Sequence, residues 1–445
     1  MSKKGWTTAI SVLVGAGLMT ACGGNTTSEG NGNGGKETAK PPVEEQVSQE
    51  PVELVIQDQG GASEEVFNQS YGAFIKQKFP NYTIKYIQAA KGTTLQDLIV
   101  AGQHVDIIIA GINGMPDPLF GLDMKLDMTE LIKKHGVDLT KFDSTLIDGI
   151  KTMGDGKLYF LPVTNLVQVM FYNKGIFDKF GIPYPKDGMT WDEVGELNRK
   201  LTRSEGGVSY MGYSASPAHI LNMSQYSMPL YDPQSKKPML TDERWRLALE
   251  TYFLNQATSG YKEWATAKKK VPYYTEMTAS QELAMMVFNS QFPFDGPQHV
   301  KDIDWDLVSL PVLKDKPKLG SQANPKTFAI TKTSKNKDAA MEVIKYMTSA
   351  EMQMNFSKQG YMTVLNDDTI KKAIGTESQH KGKNWGAVYY NNLAPMAYKS
   401  IYDTKILSFL TPNVLKLVTG ETDLNSAIRS AQEQAEKYVE SEMKK

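Results

Sequence analysis

VELVIQDQGGASEEVFNQSYGAFIKQKFPNYTIKYIQA, residues 52–89, is the stretch of sequence that indicates the fold class. Its beginning, VELVIQD, alternates in polarity and stops at Gly60 and Gly61, which predicts a strand that runs into a loop. Apolar side chains then recur at helical spacing as far as Pro80, and YTIKYIQA predicts a second strand. A strand, a helix and a second strand at this pitch indicate parallel strands joined by a crossover helix.

The same pattern continues into the next stretch of the chain. TLQDLIVAGQ predicts a helix, and DIIIAGING predicts a buried strand that ends in Gly and Asn. The fold class is therefore predicted to be α/β. Because ligands gather beyond the carboxyl ends of the strands in such sheets, Gln59, Gly60, Gly61, Ile112 and Asn113 are expected near any pocket.

A compact connector follows the middle strands. GKLYFLPVTNLVQVMFYN, residues 156–173, contains two strand-like runs divided at Pro162 and Thr164, and the predicted flexible crossing extends from Pro162 to Leu166. YNKGIFDKFGIPYPKDGMTWDEV, residues 172–194, then predicts a helix that Gly181 ends and a second helix that begins at a Thr190–Glu193 capping box. Further on, Thr348 and Glu351 predict another capping box.

The chain begins with features of an export signal. Two lysines precede a short apolar run, and small residues lead to Cys22, the single cysteine of the sequence. One cysteine excludes an internal disulfide and a cysteine metal cluster. Residues 1–21 are predicted to be a signal peptide, Cys22 to be lipidated, and residues 22–51 to form a disordered tether poor in apolar residues.

Composition argues against several classes of function. The 49 basic and 50 acidic residues nearly cancel, so nucleic acid is not an expected partner. The five histidines form no HExxH pair, and no Walker A pattern occurs. No metal, no cofactor and no catalytic residue is predicted. A carboxylate pair of a glycosidase cannot be located from sequence, and no local signature supports one.

Four stretches together resemble the family 1 extracellular solute-binding proteins, the sugar-binding group that includes maltose-binding proteins. They are the lipoprotein-like start, residues 172–194, residues 328–364 (FAITKTSKNKDAAMEVIKYMTSAEMQMNFSKQGYMTV) and residues 417–439 (LVTGETDLNSAIRSAQEQAEKYV). The resemblance implies a type II periplasmic-binding-protein fold with two α/β lobes joined by hinge crossings. Lobe 1 is expected to comprise residues 52–163 plus 312–360, and lobe 2 residues 164–311 plus 361–445.

The resemblance also implies ligand capture between the lobes, by planar polar groups and aromatic faces. The predicted ligand-binding residues are Gln59, Gly60, Asn113, Thr164, Asn165, Tyr213, Ser216, Gln291, Phe292, Asp295, Asn324 and Tyr361. Trp245 is predicted to be a core residue, whereas Trp264 and Trp385 are candidate exposed stacking faces. The chain departs from many sugar binders at Gln291, where a stacking tryptophan is usual, and at Leu407 or Ser408, where maltose binders place an aromatic residue.

The implied function is that of a binding lipoprotein and not of an enzyme. A monomer, lipid-anchored on the extracellular face of the cytoplasmic membrane, would capture a small-molecule ligand, most simply a carbohydrate, and deliver it to ABC permease subunits. Two alternatives stay open at this point: a ligand-reporting receptor for a membrane sensor, and a secreted carbohydrate-active enzyme.

Overall fold

The computed structural model describes residues 50–444. The predicted signal peptide, Cys22 and residues 22–49 of the predicted tether lie outside the described residues. Within residues 50–444, no helix combines the length and the apolar character needed to cross a membrane.

Strands alternate with helices along most of the chain. The strands are β1 (Val52–Asp58), β2 (Tyr82–Gln88), β3 (Ile107–Gly111), β4 (Leu161–Thr164), β5 (Gln168–Asn173), β6 (Arg203–Glu205), β7 (Val208–Ala215), β8 (Tyr231–Asp232), β9 (Lys237–Pro238), β10 (Leu283–Asn289), β11 (Trp305–Ser309), β12 (Leu319–Gln322), β13 (Lys326–Ile330) and β14 (Asn392–Ala394).

The α-helices are α1 (Glu64–Phe67), α2 (Ala73–Lys78), α3 (Leu95–Val100), α4 (Thr129–Lys134), α5 (Ser144–Met153), α6 (Lys174–Phe180), α7 (Trp191–Leu201), α8 (Pro217–Asn222), α9 (Glu243–Leu249), α10 (Ser259–Lys268), α11 (Tyr274–Thr278), α12 (Phe292–Asp295), α13 (Pro297–Val300), α14 (Lys337–Met347), α15 (Ala350–Gln359), α16 (Asp368–Lys372), α17 (Asp403–Leu410), α18 (Asn413–Thr419) and α19 (Leu424–Glu442). Single π-helical turns at Asn68–Gly72, Asp117–Gly121 and Glu250–Leu254 and 3₁₀ turns at Leu139–Lys141 and Trp385–Tyr389 complete the helical structure.

The first sheet has the strand order β2-β1-β3-β13-β4. β1 is parallel to β2 and β3, as the sequence predicts, whereas β13 is antiparallel to both of its neighbours. The carboxyl ends of β1 and β3 therefore meet the amino end of β13 at one edge. Asp58, Gly111 and Lys326 are brought to this edge from three distant parts of the chain.

The second sheet has the order β11-β5-β10-β7-β6, and it too is mixed. β10 is parallel to β7 and antiparallel to β5. The ends of β7 and β10 carry Ser216 and Gln291 to the edge from which β5 begins. The chain thus has two mixed sheets, each combined with helices, which agrees with the two α/β lobes that the resemblance implies.

The segments that run between the sheets are hydrogen-bonded to one another. The backbone N–H of Asn165, just after β4, donates to the carbonyl oxygen of Met362 at 3.0 Å. The N–H of Asn324, between β12 and β13, donates to the carbonyl oxygen of Leu166 at 3.1 Å. Because these bonds link separate passages of the chain, the passages are held side by side.

The predicted connector has the local structure that its sequence indicates. The Thr190 hydroxyl accepts from the N–H of Glu193, and the Glu193 carboxylate accepts from the N–H of Thr190 at 2.7 Å, so the capping box of α7 is confirmed. Gly181 ends α6 with φ 63°, a left-handed conformation that glycine adopts without steric cost.

The second predicted capping box is wrong by one residue. Ser349, in extended conformation, is the N-cap of α15, and its hydroxyl accepts from the N–H of Met352. Thr348 instead closes α14, and its hydroxyl donates back to the carbonyl oxygen of Ile344 at 3.0 Å. Thr348, with φ −95° and ψ 3°, continues the last turn of α14, whereas Ser349 has the extended backbone that an N-cap requires, so the serine caps α15.

The tryptophans are less exposed than the sequence suggests. Trp245 is fully buried, as predicted, but Trp264 and Trp385 are also buried, at 6% and 3% exposure, so their expected role as exposed stacking faces is wrong. The Trp385 ring packs 4.9 Å from Phe294, and its indole N–H donates to the carbonyl oxygen of His380 at 3.0 Å. Polar neighbours in sequence do not expose a side chain when the surrounding loop folds over it.

Candidate functional site

Two cavities share the lining residue Asn165. One, of about 600 Å³, lies beside Asp143, Thr363 and Lys371. The other, of about 770 Å³, lies at the carboxyl ends of β1 and β3, where Asp58 and Gly111 line it. Because ligands of open α/β sheets bind at the carboxyl ends of the strands, we take the second cavity, hereafter the cleft, as the candidate site.

The cleft is lined from both lobes. The first sheet, its helices and the crossing segments contribute Asp58, Ala62, Val66, Phe67, Gln69, Ser70, Tyr71, Phe74, Gly111, Thr164, Asn165, Leu166, Asn324, Lys326, Asn355, Phe356, Gln359 and Tyr361. The segments that follow β10 and α16 contribute Gln291, Phe294, Asp295, Ser378 and Gln379. A molecule held here therefore contacts residues of the first sheet and residues that follow β10 of the second sheet.

An ion pair forms part of the cleft wall. Nζ of Lys326 lies 3.0 Å from Oδ2 and 3.1 Å from Oδ1 of Asp58, and the N–H of Gly60 donates to Oδ1 at 2.7 Å. The Asp58 side chain is 4% exposed and that of Lys326 is 27% exposed. Since a buried carboxylate needs both a counter-charge and hydrogen bonds, these contacts fix Asp58 and the lysine in the wall.

A second carboxylate, Asp295, lines the same cleft from the segment that follows β10. It follows Phe294 in α12 and is exposed to the cleft. Burial by the surrounding protein raises the pKa of its carboxyl group, while the charge of Lys326 acts in the opposite direction. The side chain of Asp295 has no hydrogen bond or ion pair with any residue in the described part of the chain, so the cleft presents it to whatever enters.

Aromatic rings cover the apolar part of the wall. Phe294 and Tyr361 lie 5.8 Å apart with their planes inclined by 30°. Desolvation raises the pKa of Tyr361 to about 12, with a further contribution from the charge of Asp295, so its hydroxyl is neutral at physiological pH. Tyr71 is buried beside Phe328 and Phe356, and desolvation likewise raises its pKa.

Amide groups complete the polar lining at the hinge. Oδ1 of Asn324 accepts from Nδ2 of Asn113 at 3.2 Å, and Nε2 of Gln291 donates weakly to the backbone carbonyl of Asn165 at 3.4 Å. Oδ1 of Asn165 is buried and finds no partner within the described residues. Because buried polar atoms are rarely left unpaired, this acceptor is available for a hydroxyl of a ligand or for a water molecule.

Six of the predicted ligand-binding residues line the cleft. They are Thr164, Asn165, Gln291, Asp295, Asn324 and Tyr361. Of three others, two contact lining residues and the third, Gln59, follows the lining residue Asp58 in the chain. Gly60 and Asn113 hydrogen-bond to the lining residues Asp58 and Asn324, and Gln59 donates through its amide to Oε1 of Gln57 at 2.7 Å.

The remaining three predicted residues lie elsewhere in the second lobe. Tyr213 is buried against Trp191, and its hydroxyl has no partner among the described residues. Phe292 packs in an aromatic core with Phe171 and Phe288. Ser216 is the N-cap of α8, and its Oγ lies 2.6 Å from Nδ1 of His219.

Sequence reasoning missed Asp58, Lys326 and Phe294. Asp58 is the last residue of a buried strand, and a charged residue at the carboxyl end of such a strand could have indicated a binding residue. Lys326 has no such signal, because only the pairing of β13 with β3 and β4, opposite Gly111 and Thr164, brings it to the cleft. Phe294 lies in the motif QFPF, and the sequence favoured its neighbour Phe292.

The residues that the structure describes contain no group of three or more His, Cys, Asp or Glu side chains arranged to hold a metal ion. The cleft residues are instead hydroxyls, amides, three charged groups and aromatic rings. This set suits reversible binding of a polar organic molecule through hydrogen bonds and ring contacts.

Comparison with known proteins points in the same direction. A family model described as bacterial extracellular solute-binding protein matches residues 56–354, which is more than half of the chain. The match covers every strand of the second sheet and all of the first sheet except the first four residues of β1.

Several solved structures share the fold. An ABC substrate-binding protein from Listeria monocytogenes in complex with cycloalternan has a TM-score of 0.65 at 17% identity, covering 87% of this chain and 99% of its own. A cyclic alpha-maltosyl-1,6-maltose binding protein from Arthrobacter globiformis has a TM-score of 0.66 at 15% identity, with coverages of 87% and 99%. A sugar transporter from Rhizobium etli in an open conformation has a TM-score of 0.63 at 18% identity, with coverages of 86% and 98%.

Proposed function

Because this chain belongs to the family of bacterial extracellular solute-binding proteins, we propose that it captures a sugar or an oligosaccharide and delivers it to an ABC importer. Proteins of this family bind solutes and do not convert them, so the chain is not an enzyme. The observation that carries the proposal is the cleft of about 770 Å³, lined from both lobes by polar groups and aromatic rings.

The chemistry of the lining supports a carbohydrate. Sugar hydroxyls form paired hydrogen bonds with planar carboxylates and amides, here Asp295, Gln291 and Asn324, and the apolar ring faces of a sugar pack on aromatic side chains such as Tyr361. The similar protein from Listeria monocytogenes is in complex with cycloalternan, and the one from Arthrobacter globiformis is a cyclic alpha-maltosyl-1,6-maltose binding protein. Gln291 stands where many sugar binders have a stacking tryptophan. In this proposal Phe294 and Tyr361 supply the aromatic surface instead.

Capture follows from the position of the cleft between the sheets. A ligand in the cleft would contact Asp58 and Asn324 on one side and Gln291 and Asp295 on the other. Such a ligand stabilises the closed arrangement, in which the two sides are near each other. Since a ligand shifts a conformational equilibrium only by its differential affinity for the two states, the closed state gains the ligand's contacts with the second lobe. Lobe 1 of this proposal comprises residues 52–163 and 312–360, and lobe 2 comprises residues 164–311 and 361–445.

We also propose that Cys22 is lipidated and that the tether of residues 22–51 holds the protein at the extracellular face of the cytoplasmic membrane. Two or more acyl chains attached to this one residue would anchor the protein stably in the membrane, since each buried CH₂ contributes about 0.8 kcal/mol. The permease and ATPase subunits of the importer would be separate chains, because no Walker A pattern occurs in this sequence.

The experiment is a screen of mono- and oligosaccharides by thermal shift, followed by calorimetry on any ligand that stabilises the protein. One ligand at about 100 times its dissociation constant should add about 2.7 kcal/mol to the free energy of unfolding. Chromatography of the incubated ligand should show no product. Absence of saturable binding across the panel, or turnover of a bound sugar, would refute the proposal.

A pair of tyrosine variants links binding to the cleft. Tyr361→Ala should weaken the affinity of the identified sugar about tenfold or more, because the variant removes an aromatic face of the wall. Tyr390→Ala is the matched control, since Tyr390 is a partly exposed tyrosine outside the cleft that lies under Nζ of Lys318. Equal affinities for the two variants would show that the sugar binds elsewhere.

A further inference from the structure

Building on the proposed function, we infer that the sugar recognised by this protein carries a protonated amino group, and that Asp295 binds this group in the cleft. The substrate class is thus an amino sugar or an oligosaccharide that contains one. The inference rests on the charges of the cleft, on the pairing of its carboxylates and on the rings beside Asp295.

The charges of the cleft do not balance. Among its lining residues only Asp58, Asp295 and Lys326 carry a charge at neutral pH, and none is an arginine or a histidine. Lys326 pairs with both oxygens of Asp58, at 3.0 Å and 3.1 Å. One negative charge, that of Asp295, therefore remains without a counter-ion in the wall.

The position of Asp295 makes this charge available to a ligand. It lies on the lobe opposite Asp58, and no described side chain donates to its carboxylate. Protein already surrounds it sufficiently to raise its pKa through desolvation, and a bound sugar would remove more of its water. Since a desolvated carboxylate is costly unless it is paired, a ligand with a cationic donor at this point gains more than a neutral one.

The rings next to Asp295 favour the same kind of group. Phe294 precedes it in the chain, and Tyr361 lies 5.8 Å from the ring of Phe294. An ammonium group is attracted both to a carboxylate and to the faces of aromatic rings. A bare metal ion is a poorer candidate, because the described residues offer no group of three metal-binding side chains.

The direction of the pH dependence follows from the same arrangement. A protonated amine binds the ionised form of Asp295, so its affinity should fall as the pH drops through the raised pKa of this carboxyl group. A neutral sugar can donate a hydrogen bond to ionised Asp295 or accept one from protonated Asp295. Its affinity therefore does not depend on an ion pair that is lost when Asp295 is protonated.

The test compares matched probes by calorimetry on the full chain. Glucosamine is compared with glucose, and the β-1,4-linked disaccharide of glucosamine with cellobiose, at neutral pH and at about pH 4. We expect each amino sugar to bind at least tenfold more tightly than its neutral partner at neutral pH, and this advantage to become smaller at the lower pH.

Two variants assign the preference to the residue. Asp295→Asn should abolish the advantage of the amino sugars, so that each of them binds no more tightly than its neutral partner to the same variant, and the melting temperature of the variant reports whether it is folded. Asp302→Asn is the control, because it removes one negative charge from an exposed position outside the cleft and should keep the preference.

The outcomes separate this inference from the proposed function. Neutral sugars that bind as tightly as the amino sugars, or an unchanged preference in Asp295→Asn, would overturn the inference and leave sugar binding intact. Failure of all four probes together with every sugar of the wider screen would overturn both.

Discussion

Lys326 and Asp58 form an ion pair across two strands that are 268 residues apart in sequence, with Nζ 3.0 Å from Oδ2. The pair lies where the amino end of β13 meets the carboxyl end of β1, and it fixes the wall of the cleft. Because Asp58 is nearly inaccessible to water, it depends on the lysine for its counter-charge.

Replacing this lysine should therefore cost stability. Lys326→Met should lower the free energy of unfolding by about 2 kcal/mol, because the variant leaves a buried carboxylate unpaired. Urea unfolding measures the change. Lys332→Met is the matched control: Lys332 pairs with exposed Asp123, and its loss should cost less than about 0.5 kcal/mol. Equal effects of the two variants would contradict the structural role of the Asp58 pair.

The backbone at Gly360 should not tolerate a side chain. Its φ is +103°, and a Cβ there would lie 2.1 Å from Cζ of Phe294. Gly360→Ala should destabilise the protein by about 3 kcal/mol or more through strain and the clash, and should weaken ligand binding by displacing Phe294.

A second glycine separates these two causes. Gly420 has φ +82°, but a Cβ there would meet no atom within 4 Å. Gly420→Ala should cost about 1 kcal/mol, the strain alone, with unchanged ligand affinity. The prediction fails if both alanine variants behave alike in urea unfolding and calorimetry.

Gln353 should be essential for holding the crossing segments together. It is fully buried; its Nε2 donates to the carbonyl oxygens of Val163 and Met347 at 2.7 Å and 2.9 Å. Its Oε1 accepts from the hydroxyl of Thr363 and the N–H of Val364 at 2.8 Å and 2.9 Å.

A leucine side chain has a volume similar to that of Gln353 but can form none of these hydrogen bonds. Gln353→Leu should lower the free energy of unfolding by about 3 kcal/mol, because it leaves buried backbone groups of two crossings unpaired. Gln434→Leu, on the exposed face of α19, should change it by less than about 0.5 kcal/mol. Comparable urea midpoints for the two variants would refute this assignment.

Asp403 should make stability depend on pH. Burial raises the pKa of its carboxyl group from 3.8 to about 6, against the opposing effects of buried Lys399 and of the hydroxyl of Ser400. The folded protein thus binds this proton more tightly than the unfolded chain does. The stability from this group is present below about pH 4 and is lost as the pH rises through about 6.

Asp403→Asn removes that titration. Relative to the unmodified chain, the free energy of unfolding of the variant should rise by about 3 kcal/mol between pH 4 and pH 7. Unfolding in urea at several pH values measures the difference, and exposed Asp302→Asn should show no such trend. A constant difference between Asp403→Asn and the unmodified chain would show that Asp403 does not titrate in this range.

Local patterns were predicted well where one short stretch carries all the information. The parallel strands β1, β2 and β3, the capping box of Thr190 and Glu193 and the glycine stop at Gly181 depend on residues that are near each other in sequence. The prediction at Thr348 failed because two adjacent hydroxyl residues are both candidates for one cap, and the point where the preceding helix ends decides which of them has the extended backbone.

The amino-acid sequence by itself determined the α/β class, the order of the main elements and the resemblance to solute-binding proteins, since periodicity and caps act over a few residues. Only the tertiary structure decided which polar groups meet. The pairing of β13 with β3 and β4 brings Lys326 to Asp58, and the end of β10 brings Asp295 to the opposite wall. A binding cleft depends on distances between residues remote in sequence, and those distances arise only when the sheets are assembled.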